Sequence, residues 1–116
     1  IAGLKNAHGL GISQVVPYPY RPLLPVVREY QAALKKYAPD AEINYTSFEQ
    51  FLGAKVLVEA LRRAGPAPTR AKVIKALESL QSYDLGGITL GYSPTNRIGS
   101  RYVEVTVIGS NGRLMK

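Results

Sequence analysis

The chain has 116 residues, 46% of them hydrophobic, a formal charge of +7 at pH 7 and no cysteine. That length suits one small domain or a piece of a larger one, and the missing cysteine excludes disulfides, thiol chemistry and cysteine-based zinc sites. No apolar run approaches the roughly 20 residues of a membrane helix, no secretory leader is recognisable, and the first residue is Ile rather than Met, as in a processed or excised segment.

Residues 1–9 form a lead-in with turn residues and little periodicity. Leu10–Val16 reads as a short strand stopped by Pro17. In the following PYPYRPLLP, Pro17, Pro19, Pro22 and Pro25 hold the backbone extended and make a stiff connector. Pro25 can open a helix as its first-turn proline. The spacing predicts that helix to Tyr37, with Val26, Val27, Tyr30, Ala33, Leu34 and Tyr37 on its apolar side. Ala41–Tyr45 reads as a short strand.

The stretch Ser47–Gly65 carries the plainest helix signal. Ser47 is the predicted N-cap and Gln50 completes a capping box. Phe51, Ala54, Val58 and Leu61 form the predicted apolar stripe, and Lys55 and Glu59 an i,i+4 pair on the other face. Gly65 and Pro66 end it. Thr69 caps a third predicted helix with Val73, Ile74, Leu77 and Leu80 on its stripe.

Beyond Ser82 the chain turns rich in Gly, Ser, Asn and Pro, with one short strand at Ile88–Leu90. Val103, Val105 and Val107 then alternate with Tyr102, Glu104 and Thr106, the pattern of a half-buried strand. Gly109–Gly112 is a turn, so Arg113–Met115 returns as its hairpin partner. Three helices with so few strands do not make a self-sufficient α/β sheet, so part of the sheet they need is expected elsewhere.

Motifs for catalysis are lacking. There is no nucleophile elbow, phosphate loop, dinucleotide fingerprint or metal-ligand pair, and the lone His8 reads as an exposed turn residue. The basic residues are spread from Lys5 to Lys116 in clusters no longer than two, the pattern of a solvated surface. Interleaved Tyr and Arg suit single-stranded nucleic acid, but no RNA-module motif accompanies them. The aromatic residues say more: Tyr18, Tyr20, Tyr45 and Phe48 gather around the connector and the start of the central helix. They fit a small-ligand grip with few polar anchors, and equally an ordinary core. Glu49 either favours the helix dipole or receives a ligand ammonium.

The blocks GISQVVPYP, PVVREYQAALKKYAPD, SFEQFLGAKVLVEALRRAG, TRAKVIKALESL and DLGGITLGYSPTNRIGSRYVEVTVIGSNGRL, in this order, resemble the C-terminal third of the leucine/isoleucine/valine-type (type I) periplasmic substrate-binding proteins of ABC importers. The resemblance implies an α/β fold: a C-terminal fragment of a two-lobed molecule, its helices packed on a partly missing parallel sheet, plus a C-terminal β-hairpin. It assigns residues 1–17 to a C-terminal-lobe strand and first hinge, 18–93 to an N-terminal-lobe helical segment, 94–99 to a hinge and 100–116 to a C-terminal-lobe β-hairpin that lies with the first strand. It implies periplasmic binding of an amino acid or small organic acid in the interlobe cleft, no enzymatic step, no cofactor or metal, no nucleic acid, and permease subunits as partners. The positions it places at the ligand are Tyr18, Tyr20, Phe48 and Glu49. Lys5 stands near where amino-acid binders of the family place an acidic residue, which favours an anionic compound. A ligand sensor of the same fold coupled to signalling is the alternative, a basic nucleic-acid-binding domain a more distant one. Self-association through uncovered helix faces is also expected.

Overall fold

The computed structural model describes residues 3–116, with the backbone alone for Leu4 and Lys5. In chain order the elements are α1 (Leu4–Ala7), β1 (Gly11–Gln14), α2 (Pro25–Tyr37), α3 (Tyr45–Ala64), α4 (Arg70–Glu78), β2 (Tyr83–Asp84), β3 (Thr89–Leu90), β4 (Glu104–Ile108) and β5 (Leu114–Met115). They fall into two compact units: the chain up to Tyr18 with Tyr102–Lys116, and Pro19–Arg101.

The first unit is an antiparallel sheet of order β1-β4-β5. Gly11 lies opposite Val107 and Ser13 opposite Val105, so the early strand and the late hairpin pair directly. The hairpin turn closes where Gly109 N–H donates to the Arg113 carbonyl at 2.8 Å, and Gly112 takes the left-handed φ of 74° that such turns require. Alternation was expected to turn the valines inward; instead Val105 is 62% exposed and Val103 lies open too. The buried side is that of Thr106, whose hydroxyl donates to the Ile12 carbonyl at 3.3 Å. This unit covers one face of its sheet, and period-2 alternation names two faces without saying which is covered. The lead-in also differs from expectation, since Leu4–Ala7 winds into one helical turn.

In the second unit, α2 begins at Pro25 as expected, and its first buried N–H, that of Val26, donates to Gly86 O at 3.1 Å. Gly86 has φ of +107°, and a Cβ there would stand 3.0 Å from Val26 N, so only glycine allows this approach. The α3 helix starts three residues before the expected position. Asn44 is its N-cap, accepting from Ser47 N–H at 2.8 Å, and this removes the short strand predicted at Ala41–Tyr45. Asn and Ser are comparably good caps, and the sequence holds both.

The buried stripe of α3 is Phe48, Leu52, Val56, Glu59 and Ala60, not Phe51, Ala54, Val58 and Leu61. It packs toward Val26, Val27 and Tyr30 of α2, Ala76 of α4 and the Leu80–Leu90 segment that holds β2 and β3. Burying a Phe48-sized ring contributes roughly 2–3 kcal/mol. The other apolar side of α3 stays uncovered, with Val58 65% exposed and Leu57 and Leu61 beside it. Lys55 pairs with Glu29 of α2 rather than with Glu59. Glu59 instead takes Arg62 and Arg63, each at 2.7 Å. Later in this unit Ser93 bridges Asn96 around a turn, and Gly91 N–H donates to Gly99 O at 2.8 Å.

Candidate functional site

The residues singled out from the sequence divide between the two units. Tyr18 is half-buried in the first, where its hydroxyl donates to the Leu114 carbonyl at 2.9 Å and so ties the residue to β5. Tyr20, Phe48 and Glu49 belong to the second unit. The side chain of Lys5 lies outside the described residues.

Phe48 is 0% exposed. Its ring packs on Tyr30 at 5.0 Å between centroids, so it holds the start of α3 and presents no surface to a ligand. Phe48 is therefore a core residue of this unit. Tyr20 is different: it is 41% exposed and stands edge-on to Tyr45, with ring centroids 6.1 Å apart and planes at 77°. That edge-to-face geometry lets the ring quadrupoles attract, worth about 0.5–1.5 kcal/mol. The sequence marks Tyr45 only as one of the gathered aromatic residues, because Ala41–Tyr45 has the pattern of a short strand that ends there.

With α3 beginning at Tyr45, Tyr45 and Glu49 are separated by four residues and share a helix face. Glu49 is exposed and has no ion-pair partner among the described residues. It lies beyond the first turn, where the helix dipole fades, so the dipole explains less of its presence than the sequence suggested. The start of α3 therefore carries the Tyr45 ring and the Glu49 carboxylate on one face, with the Tyr20 ring edge-on to Tyr45. Aromatic rings and a carboxylate are the groups that complement an apolar body and a cationic end. Among the described residues no group of three His, Cys, Asp or Glu is arranged to hold a metal ion.

A depression of about 390 Å³ lies against Glu29, Phe51, Lys55, Val58, Glu59 and Arg62. Its charges already pair with one another, Lys55 with Glu29 and Arg62 with Glu59. Arg63, hydrogen-bonded to Glu59, and then the charge of Arg62 hold the Glu59 carboxyl below its ordinary pKa, despite its burial. These interactions stabilise α3 and make no ligand set.

The family model of the periplasmic binding proteins matches residues 1–113. The chain belongs to that family. A substrate-binding periplasmic protein from Ralstonia solanacearum is 41% identical, with a TM-score of 0.87 over 98% of this chain and 33% of its own. An extracellular ligand-binding receptor from Verminephrobacter eiseniae is 37% identical, with a TM-score of 0.83 over 99% and 33%. A "possible leucine/isoleucine/valine-binding protein" from Rhodopirellula baltica is 30% identical, with a TM-score of 0.85 over 95% and 30%. The chain thus spans about a third of the length of these structures. No curated protein matches it. The fold is accordingly a portion of the two-lobed periplasmic-binding-protein fold of the leucine/isoleucine/valine type, as the resemblance implied. The family is periplasmic and consists of ligand binders rather than enzymes. Among the described residues no helix is long and apolar enough to cross a membrane.

Proposed function

We propose that this chain is part of the solute-binding component of an ABC importer for branched-chain amino acids or related small organic acids, working in the periplasm and delivering its ligand to permease subunits. In this reading the unit Pro19–Arg101 belongs to the N-terminal lobe and the β1-β4-β5 unit to the C-terminal lobe. Tyr20, Tyr45 and Glu49 of the first of these face the ligand. Phe48 is left out because its ring has no exposed surface.

The observation that carries the reading is the pairing of exposed Tyr20 with half-buried Tyr45, which lies one helical turn from an exposed carboxylate without an ion-pair partner among the described residues. The rings suit a branched aliphatic side chain, and Glu49 suits an α-ammonium group. The likeness to a Rhodopirellula protein described as leucine/isoleucine/valine-binding supports this choice of ligand class. Lys5 points the other way, toward an anionic compound, and the two ligand classes separate in one titration.

The test is calorimetry of the full-length two-lobed protein against L-leucine, L-valine and isovalerate. Tight binding of the amino acids, weakened at least about tenfold by Glu49→Gln as expected for a lost charge-assisted contact, supports the reading. Isovalerate binding that Glu49→Gln leaves unchanged would assign the site to organic acids. No binding of any of the three would overturn both.

A further inference from the structure

Two adjacent residues of α2 each hold one member of the Tyr20–Tyr45 pair. Tyr30 is 2% exposed, yet its hydroxyl is fully used. It accepts from Asn44 N–H at 3.3 Å and shares a short hydrogen bond with the Ser47 hydroxyl, which in turn lies 3.3 Å from the Asn44 carbonyl. With Tyr30 donating to Ser47 and Ser47 to Asn44 O, every donor is used once and the three bonds close a ring. Members of such a ring polarise one another, and a buried hydroxyl so engaged is costly to disturb. The ring encircles the N-cap of α3, and Asn44 is followed directly by Tyr45.

The next residue of α2 acts on the other ring. Gln31 Nε2 donates to the Pro19 carbonyl at 2.8 Å. Pro19 is buried and immediately precedes Tyr20. Successive helical side chains diverge by about 100°, which is why Tyr30 reaches α3 while Gln31 reaches the connector. Arg28, one turn earlier, reinforces the connector by donating to the carbonyls of Pro22 and Leu23, both at 3.1 Å.

We propose that Tyr30 and Gln31 are positioning residues: neither touches the ligand, and together they fix the spacing and angle of the two tyrosine rings that do. This rests on the functional reading above, which places that pair at the ligand. Two anchors from one rigid helix set the ring geometry before a ligand arrives, so less ordering remains for the binding step.

The test uses the full-length protein with ring-labelled tyrosine, followed by NMR and by titration with L-leucine. Tyr30→Phe removes one hydroxyl and keeps the packed ring; Gln31→Leu removes the donor at similar volume. Both are expected to weaken the Tyr20–Tyr45 ring cross-peaks and to lower L-leucine affinity by about threefold to tenfold, the range for one lost hydrogen bond. Ala76→Gly in α4, remote from the pair, is expected to lower the urea midpoint while leaving the cross-peaks and affinity alone. Wild-type cross-peaks and affinity in both anchor variants would overturn the proposal, as would equal loss of cross-peaks in Ala76→Gly. If Tyr20→Ala leaves L-leucine binding intact, the functional reading fails separately, and the ring cross-peaks still decide whether Tyr30 and Gln31 position the pair. Should Tyr30→Phe not fold, Gln31→Leu decides alone.

Discussion

The Tyr18 hydroxyl donates to the Leu114 carbonyl at 2.9 Å, joining residues 96 apart in the chain. Leu114 lies in β5, a strand of two residues that pairs only with β4, so this bond supplies a side-chain tie to a sheet edge. Tyr18→Phe is expected to cost about 1 kcal/mol, the usual net worth of such a bond. Urea unfolding followed by circular dichroism checks this, and an unchanged midpoint would mean the bond contributes nothing.

Core and uncovered faces should respond differently to truncation. Phe48→Ala removes a ring with no exposed surface and is expected to cost about 3–5 kcal/mol. Val58→Ala and Val105→Ala, both on open faces, should each stay within about 0.5 kcal/mol in this chain. Urea midpoints rank the three variants; a large loss at Val105 would show that its face is covered in solution.

That contrast marks how far the sequence could be read. The bounds of α2 were legible because Pro25 and Pro39 punctuate a clean stripe, and Thr69 marked α4. The pairing of the early strand with the late hairpin followed from the family resemblance, since no local pattern encodes a contact across so many residues. Which side of α3 is buried was not legible. Apolar residues occur around most of that helix, and Val58 and Leu61 look as much like core as Leu52 and Val56. The tyrosines themselves are legible, but the place of Tyr45 on α3, one turn before Glu49, is hidden when Ser47 rather than Asn44 is taken as the cap. The Tyr30 hydroxyl bonds bring together residues 14 to 17 apart, and no spacing rule predicts them.

Acid should destabilise the protein through Glu59 and Asp84. Hydrogen bonding from Arg63, followed by the charge of Arg62, lowers the Glu59 pKa below its ordinary 4.5. The Gly87 and Gly86 N–H groups, at 2.7 and 2.9 Å, lower that of Asp84 below 3.8. For a depressed carboxylate the unfolded chain binds the proton more readily. The stabilisation is therefore complete above the ordinary pKa and disappears as pH falls through the lowered one. Thermal melts between about pH 6 and 2 should show the melting temperature falling below pH 4.5. Glu59→Gln should start lower at neutral pH and show a shallower fall; an identical acid profile would remove Glu59 from the account.

Open apolar faces carry a second consequence for the 116-residue chain by itself. Leu57, Val58 and Leu61 on α3, and Val103 and Val105 beside β1, present surface that a monomer seldom leaves bare. Light scattering is expected to show a mass that rises with concentration, and Val58→Lys should reduce it. A constant monomer mass at high concentration would contradict this.

Ring-resolved tyrosine NMR tests the central claim, that ligand is held at the start of α3, most directly. Fluorotyrosine is incorporated into the full-length protein, each resonance is assigned by Tyr→Phe substitution, and L-leucine is added. Tyr20 and Tyr45 should shift on saturation, while Tyr37, 77% exposed at the far end of α2, should not. Saturable binding of L-leucine that leaves the Tyr20 and Tyr45 resonances in place would put the ligand elsewhere and contradict the account.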